Sequence, residues 1–308
     1  MAETATHPAR GPKSIVLWGV LFLSGIAWGA TLLFSKLSVA TGHPAIGIVF
    51  WQTVIGAVLL GLTLVVTRRG LPLGRRQLVF YLICGFLGTA FPHTMSYTYI
   101  KHLPVGIASI LIAVVPMMTL ALSAAIGVER ATPMRLAGLA LGFAAVLLIL
   151  VPDASLPEDG QWLWALLPLV TALAYACENV YIAKYLPPGT DAVQTLAGLT
   201  LGALVLILPI LAVQGTWVDI TRFEGPEQAI VAGSALHVIA YLGLVWLIGK
   251  AGPVFTAQIG YIVTLSGVFL GMIFLGETLA SWAWLSLLLM TAGLSLVSPK
   301  HQIKLSST

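Results

Sequence analysis

Ten apolar stretches follow one another along almost the whole of this 308-residue chain, and each is long enough to cross a bilayer as a helix. About 20 helical residues at about 1.5 Å each cover the roughly 30 Å of hydrocarbon in a membrane. The stretches fall at residues 15–38, 45–67, 77–100, 103–126, 132–151, 161–185, 192–213, 227–249, 253–275 and 280–298. They are continuous, whereas the strands of a membrane β-barrel alternate apolar and polar residues over short segments. Charged residues make up only 8% of the chain, against roughly 25% in a soluble domain. The expected fold class is an all-α integral membrane protein with ten transmembrane helices.

The second five stretches repeat the outline of the first five. Lys101 and Pro104 return at the same spacing as Lys250 and Pro253, and Glu129 returns as Glu277. Five crossings per half is an odd number, so the halves run through the membrane in opposite senses. The reading is two inverted five-helix repeats, over 15–151 and 161–298. Residues 152–160 form a linker, with Pro152, Pro157 and Gly160 as breakers and Asp153, Glu158 and Asp159 to keep it in water. Residues 1–14 and 299–308 are polar tails. The first stretch is too long for the core of a cleavable signal and reads as a retained helix. A duplicated membrane unit of this kind holds a binding site where its halves meet.

The net charge of +4 reports topology rather than a nucleic-acid partner. With the N-terminus in the cytoplasm, Arg10, Lys13, Arg68, Arg69, Arg75, Arg76, Arg130, Arg135, Lys184, Lys250, Lys300 and Lys304 fall inside or at inner helix ends. Lys36, Lys101 and Arg222 fall outside, a division that fits the positive-inside rule. Both termini are then cytoplasmic. Cys84 and Cys177 lie within stretches and match neither a metal pattern nor a disulfide framework, so they read as buried free thiols.

Small-residue pairs recur at helical spacing: Gly25 and Gly29, Gly138 and Gly142, Gly198 and Gly202, Gly267 and Gly271. Lipid gives no hydrophobic reward for helix association, so such pairs let backbones approach and pack. Static packing is the simpler reading, and a sliding contact the functional one. Pro92 and Pro116 lie inside stretches 3 and 4 and should bend or loosen them by removing a backbone hydrogen bond.

Trp28-Gly29 with Lys36, the Lys101, Pro104, Pro116, Glu129 run, and its second copy ending Leu275-Gly276-Glu277-Thr278-Leu279 resemble the EamA family of the drug/metabolite transporter superfamily. The resemblance covers nearly the whole chain, and is nearest to YddG-type exporters of aromatic amino acids. It implies ten helices in a bacterial inner membrane, both termini inside, a periplasmic linker, and export of small metabolites through a cavity between the halves. The chain departs from the family pattern in span 9, where Thr264 or Leu265 stands opposite Pro116.

An ionisable residue within a span is costly and points to function. His93, Glu178 and His237 qualify. Counted by depth, Glu178 lies in the inner half, roughly 10–15 Å below the two histidines, so the three are not expected to converge. Glu178 is either a cation or proton site, or an ammonium partner, in a wet cavity, or a carboxyl reaching the inner interface. Trp28 and Tyr175 lie too deep for the interfacial aromatic belt, with stacking on a flat substrate as their functional reading and filling the core as their plain one. Tyr97 and Trp246 are weaker candidates for cavity walls, and Gln258 and Tyr261 for donors to a substrate carboxylate. Lys36 matches the lysine of the family's pattern, with a carboxylate anchor as its functional reading and snorkelling as its plain one. His93 with Tyr97 and His237 with Tyr241 share a spacing, yet the repeat register does not superpose them. Glu129 and Glu277 read as capping residues at the turn into the last helix of each half.

The function expected is secondary transport or facilitated export of small neutral or zwitterionic metabolites, aromatic amino acids first, by alternating access of a midplane cavity. One alternative, a nucleotide-sugar or phosphate-ester exchanger, would need basic residues deep in the cavity, and none lies deeper than Lys36, Lys184 and Lys250. Another, an intramembrane enzyme, would need Glu178 to meet a histidine. A membrane scaffold would leave the interface closed and dry. Gly249-Lys250-Ala251 lacks the spacing and the Ser or Thr of a phosphate loop. The expected partners are a small-molecule substrate and the lipid bilayer. The chain is expected to work as a monomer, with no nucleic acid, cofactor, metal or catalytic residue.

Overall fold

The computed structural model describes residues 14–127, 132–150, 161–256 and 259–297, and every element of regular structure among them is helical. The helices are α1 (Ser14–Ser38), α2 (Ala45–Val66), α3 (Arg75–Gly85), α4 (Phe91–Tyr99), α5 (Val105–Ile112), α6 (Val115–Ala125), α7 (Pro133–Leu150), α8 (Gln161–Tyr185), α9 (Ala192–Gln214), α10 (Gly225–Thr256), α11 (Ile259–Leu275) and α12 (Ser281–Val297). Eight membrane-length apolar spans arise from α1, α2, α3 with α4, α5 with α6, α7, α8, α9 and α10, and α11 and α12 are shorter apolar helices. That makes ten spans. At 17 residues each, α11 and α12 reach the lower end of what a bilayer requires. Apolar side chains such as Val66, Val213, Ile273 and Leu288 are mostly exposed. A surface of that kind suits lipid, where packing and not water exclusion holds helices together.

The packing interleaves the first seven helices with the last five. The first helix of each half crosses to the other half: α1 lies along α10 and α11, and α8 lies against α4, α5 and α6. The last helices, α7 and α12, pair with each other, and α9 packs on α2 and α3. Each expected glycine pair faces such a contact. Gly25 and Gly29 meet Ile262 and Ser266, Gly138 meets Gly293, Gly142 meets Met117, Gly198 and Gly202 meet Tyr81, and Gly267 meets Ser109 while Gly271 meets Glu277 and Val105.

Both expected prolines loosen their spans. Ahead of Pro92 the chain makes a π-helical turn over Phe86–Ala90, the single-turn bulge that a missing i−4 bond favours. Span 4 breaks into α5 and α6 at Ala113 and Val114, with Pro116 in the first turn of α6. Span 9, with no proline opposite Pro116, is unbroken over α11.

One boundary differs from expectation. Stretches 8 and 9 were expected to part around Gly249–Pro253, yet α10 runs on to Thr256. The first Lys-x-x-Pro copy turns the chain between α4 and α5, and the second lies inside a helix. Proline's fixed φ fits a helix, so it removes one hydrogen bond without forcing a stop. The tails (apart from residue 14), the linker 152–160, Glu129 and Gln258 lie outside the described residues.

At the end of the bundle that carries Arg68, Arg69, Arg75 and Arg76, Asp191 caps α9. Its carboxylate accepts from Gln194 N at 2.9 Å, the Gln194 side chain accepts from Asp191 N at 2.9 Å, and Arg69 Nη1 donates to Asp191 at 2.9 Å. Gln194 also donates to the Gly70 carbonyl at 2.7 Å, tying the second half to the α2–α3 loop of the first. Asp191→Ala is expected to cost about 1–2 kcal/mol as a lost cap, and Arg69→Ala less than about 1 kcal/mol as a lost exposed ion pair. Melting of the detergent-solubilised variants checks this. Equal losses would assign the effect to the ion pair.

Candidate functional site

Close approach of α1 and α10 builds one wall of the site. The Ser24 hydroxyl rests on Gly243, which brings Trp28 against two rings of α10. Its centroid lies 5.8 Å from His237, edge-on, and 5.2 Å from Tyr241. The opposite wall comes from α4 and α8, where His93 and Tyr175 meet with centroids 6.4 Å apart. The walls join at the histidines, whose rings are T-shaped at 5.3 Å. Trp28, His93, Tyr175, His237 and Tyr241 thus form one aromatic cage, drawn from both halves.

His93 is held from behind by α2. Its Nδ1 lies 2.9 Å from Gln52 Oε1, and Tyr97 Oη donates to the same oxygen at 3.4 Å. An amide oxygen only accepts, so the bond requires a hydrogen on Nδ1 and leaves Nε2 as an acceptor in the neutral ring.

Glu178 lies one helical turn along α8 from Tyr175 and is buried, with 6% of its surface exposed. Its carboxylate lies directly against Gly88, inside the π turn, at a place that any larger residue's Cβ would take. Among the described residues no hydrogen-bond donor is bound to it.

These positions correct the depth count. Gly88 and His93 are five residues apart, roughly 7–8 Å along the axis, so the Glu178 carboxyl lies about that far below His93, nearer than the 10–15 Å expected. The two histidines, whose mutual distance the depth count left open, touch each other. Tilt and the π turn shift depths that a straight-helix count holds fixed. The three residues are still not hydrogen-bonded to one another, and among the described residues no group of three His, Cys, Asp or Glu side chains is placed to hold a metal ion. The shared His-x-x-x-Tyr spacing leads to different partners, since Tyr97 bonds Gln52 and Tyr241 packs on Trp28.

Other expected site residues lie elsewhere. Trp246 packs with Leu21, Leu247 and Ile259 in a side cluster that, among the described residues, shares only Trp28 with the cage. Tyr261 packs on the main core. Lys36 Nζ donates to the Leu103 carbonyl at 2.9 Å and to that of Lys101 at 3.4 Å, with Glu277 as its nearby charge. It fastens the α4–α5 corner, and its amine is engaged by the backbone. Two residues went unnoticed in the sequence. Gln52 carried a signal, as a polar amide within an apolar span. Gly88 carried none, because its role depends on a carboxylate from the other half.

Glu277 does cap a helix, though a different one from that expected. Gly276 ends α11 with φ 64°, in the left-handed region that suits glycine. Glu277 then turns back to accept from Val105 N at 2.7 Å and Gly106 N at 3.1 Å, capping α5 of the first half where α12 was expected. Below this cap α5 runs along α11, with Ser109 on Gly267, while α6 packs chiefly on α8. The halves are therefore clamped at the end of the bundle that carries Glu277.

The chain is similar over nearly its full length to proteins of two bacteria. It is 27% identical over 287 residues to the uncharacterised inner membrane transporter YedA of Escherichia coli strain K12, covering 90% of this chain and 89% of YedA. It is 26% identical over 285 residues to the uncharacterised transporter YvbV of Bacillus subtilis strain 168, covering 90% of each. A crystal structure with 17% sequence identity superposes with a TM-score of 0.64 over 92% of this chain and 96% of the other, so the fold is shared. The EamA-like transporter family model matches residues 14–151, the stretch from α1 to the end of α7.

Proposed function

We propose that this chain is an EamA-type transporter that exports small aromatic metabolites, aromatic amino acids among them, across a bacterial inner membrane. The observation that carries the reading is the cage of Trp28, His93, Tyr175, His237 and Tyr241 at the meeting of the two halves. A site built from both repeats changes shape when one half rocks against the other, which is what alternating access requires. The similarity to YedA and YvbV supports transport, and the grouping of twelve Lys and Arg on one side supports a cytoplasmic position for the end bearing Arg68–Arg76. The Glu277 clamp then closes the periplasmic face.

Flux into liposomes containing only this protein tests the proposal. Aromatic amino acids are expected to move faster than leucine or alanine. An aromatic pair contributes about 0.5–1.5 kcal/mol beyond burial, so Trp28→Ala and Tyr175→Ala should each reduce aromatic flux about tenfold at most and aliphatic flux much less. Equal losses for both classes would remove the stacking role of these rings.

A further inference from the structure

The cage has an acidic group beneath it and, among the described residues, no lysine or arginine beside it. Glu178 is buried beneath it, and among the described residues no Lys or Arg reaches the carboxylate. Lys36 is engaged by the Leu103 and Lys101 carbonyls at the far end of α1. Lys184 lies six residues further along α8, over the Tyr185 ring, and Arg69 is paired with Asp191. A carboxylate withdrawn from water without a partner is costly, and within a membrane such a group is kept for a cation or proton that comes and goes. The backbone makes room for it: the π turn before Pro92 puts Gly88 under the two oxygens. Aromatic faces beside a carboxylate favour a cation as well as a flat ring.

We infer that the cage, when one half rocks from the other, reads a ring and an ammonium group and leaves a substrate carboxylate unread, so that aromatic monoamines are bound in preference to the matching amino acids. This rests on the transport reading above. The ring stacks between Trp28 and Tyr175, and the ammonium reaches down to Glu178. An amino acid adds a second charge for which the cage has no fixed cation, and it must be desolvated without return.

Isothermal titration of the purified protein in detergent, with phenethylamine, phenylalaninamide, phenylalanine and 3-phenylpropionate, tests this without the complication of amines leaking through lipid. The expected order is phenethylamine and phenylalaninamide first, phenylalanine at least fivefold weaker, and 3-phenylpropionate without measurable binding. Glu178→Gln should weaken both amines at least tenfold. Gly88→Ala, which pushes the carboxylate aside while keeping its charge, should act in the same direction. The wild-type ranking decides the matter even if neither variant folds. Phenylalanine binding as tightly as phenethylamine, or amine affinity unchanged in a folded Glu178→Gln, overturns this inference and leaves aromatic transport standing. Failure of all four ligands to bind overturns both.

Discussion

Gly85→Val is expected to eliminate folded protein from detergent extracts, whereas Gly19→Val and Gly61→Val should behave as wild type. A Cβ at Gly85 would lie 2.5 Å from Ala203 N, 2.6 Å from Leu199 O and 2.9 Å from Gly202 C. All three are backbone atoms of α9, so no rotamer change relieves the clash. Separating α3 from α9 would also lift Tyr81 from Gly198 and Gly202 and open the core around Phe80, Cys84 and Leu199. Overpacking costs about 1–3 kcal/mol where side chains can adjust and more where they cannot. Gly19 and Gly61 have nothing within 4 Å of a built Cβ, so valine there only meets lipid. Size-exclusion profiles of fluorescently tagged variants provide the measurement. A monodisperse Gly85→Val peak with wild-type melting would show that α3 and α9 are not held at backbone contact.

The spans were legible because lipid leaves the backbone few choices. A continuous apolar run of about 20 residues must satisfy its own N–H and C=O groups, and a helix does so. Glycine spacing was informative for the same reason, since close packing is what holds helices together in lipid. The fate of a proline was less legible. Lys101 to Pro104 and Lys250 to Pro253 share a spelling, yet only the first breaks the helix. The difference comes from distant partners: Lys36 takes the carbonyls of Lys101 and Leu103, and Glu277 takes the amides of Val105 and Gly106. No local reading of Pro104 contains them.

The site was legible to the extent that polarity inside an apolar span betrays purpose. His93, Glu178 and His237 stood out by that criterion, and the structure sets His93 against His237 and Tyr175, with Glu178 one turn along α8 against Gly88. Their mutual distances were not legible, because they depend on tilt and on a π turn that a straight-helix count omits. Tyr241 shows the opposite error. The repeat register argued against matching it to Tyr97, and so drew attention away from its contact with Trp28. Trp246 had the right chemistry on the wrong face of α10, where it packs with Leu21.

Glu277→Ala is expected to release the clamp between α5 and α11 and to impair transport by leaving the bundle open at the end where Glu277 sits. In the wild type two backbone N–H groups at the start of α5 donate to this one carboxylate, at 2.7 and 3.1 Å. Hydrogen bonds to a charged group contribute about 1.5–3 kcal/mol each, and a negative charge at a helix N-terminus adds a favourable dipole interaction. Removing the carboxylate leaves both amides unpaired in a partly buried corner. Losing about 3 kcal/mol from the clamped arrangement would shift a two-state equilibrium roughly a hundredfold. Ser109, fully buried against Gly267, is the place to read the shift. Ser109→Cys alone should resist a membrane-impermeant maleimide and become reactive when combined with Glu277→Ala. Glu277→Gln keeps one acceptor oxygen and should fall between the two. Unchanged reactivity together with wild-type flux would mean that the clamp is only a helix cap, and that the closed face is held by the packing of Gly106 and Ser109 on α11.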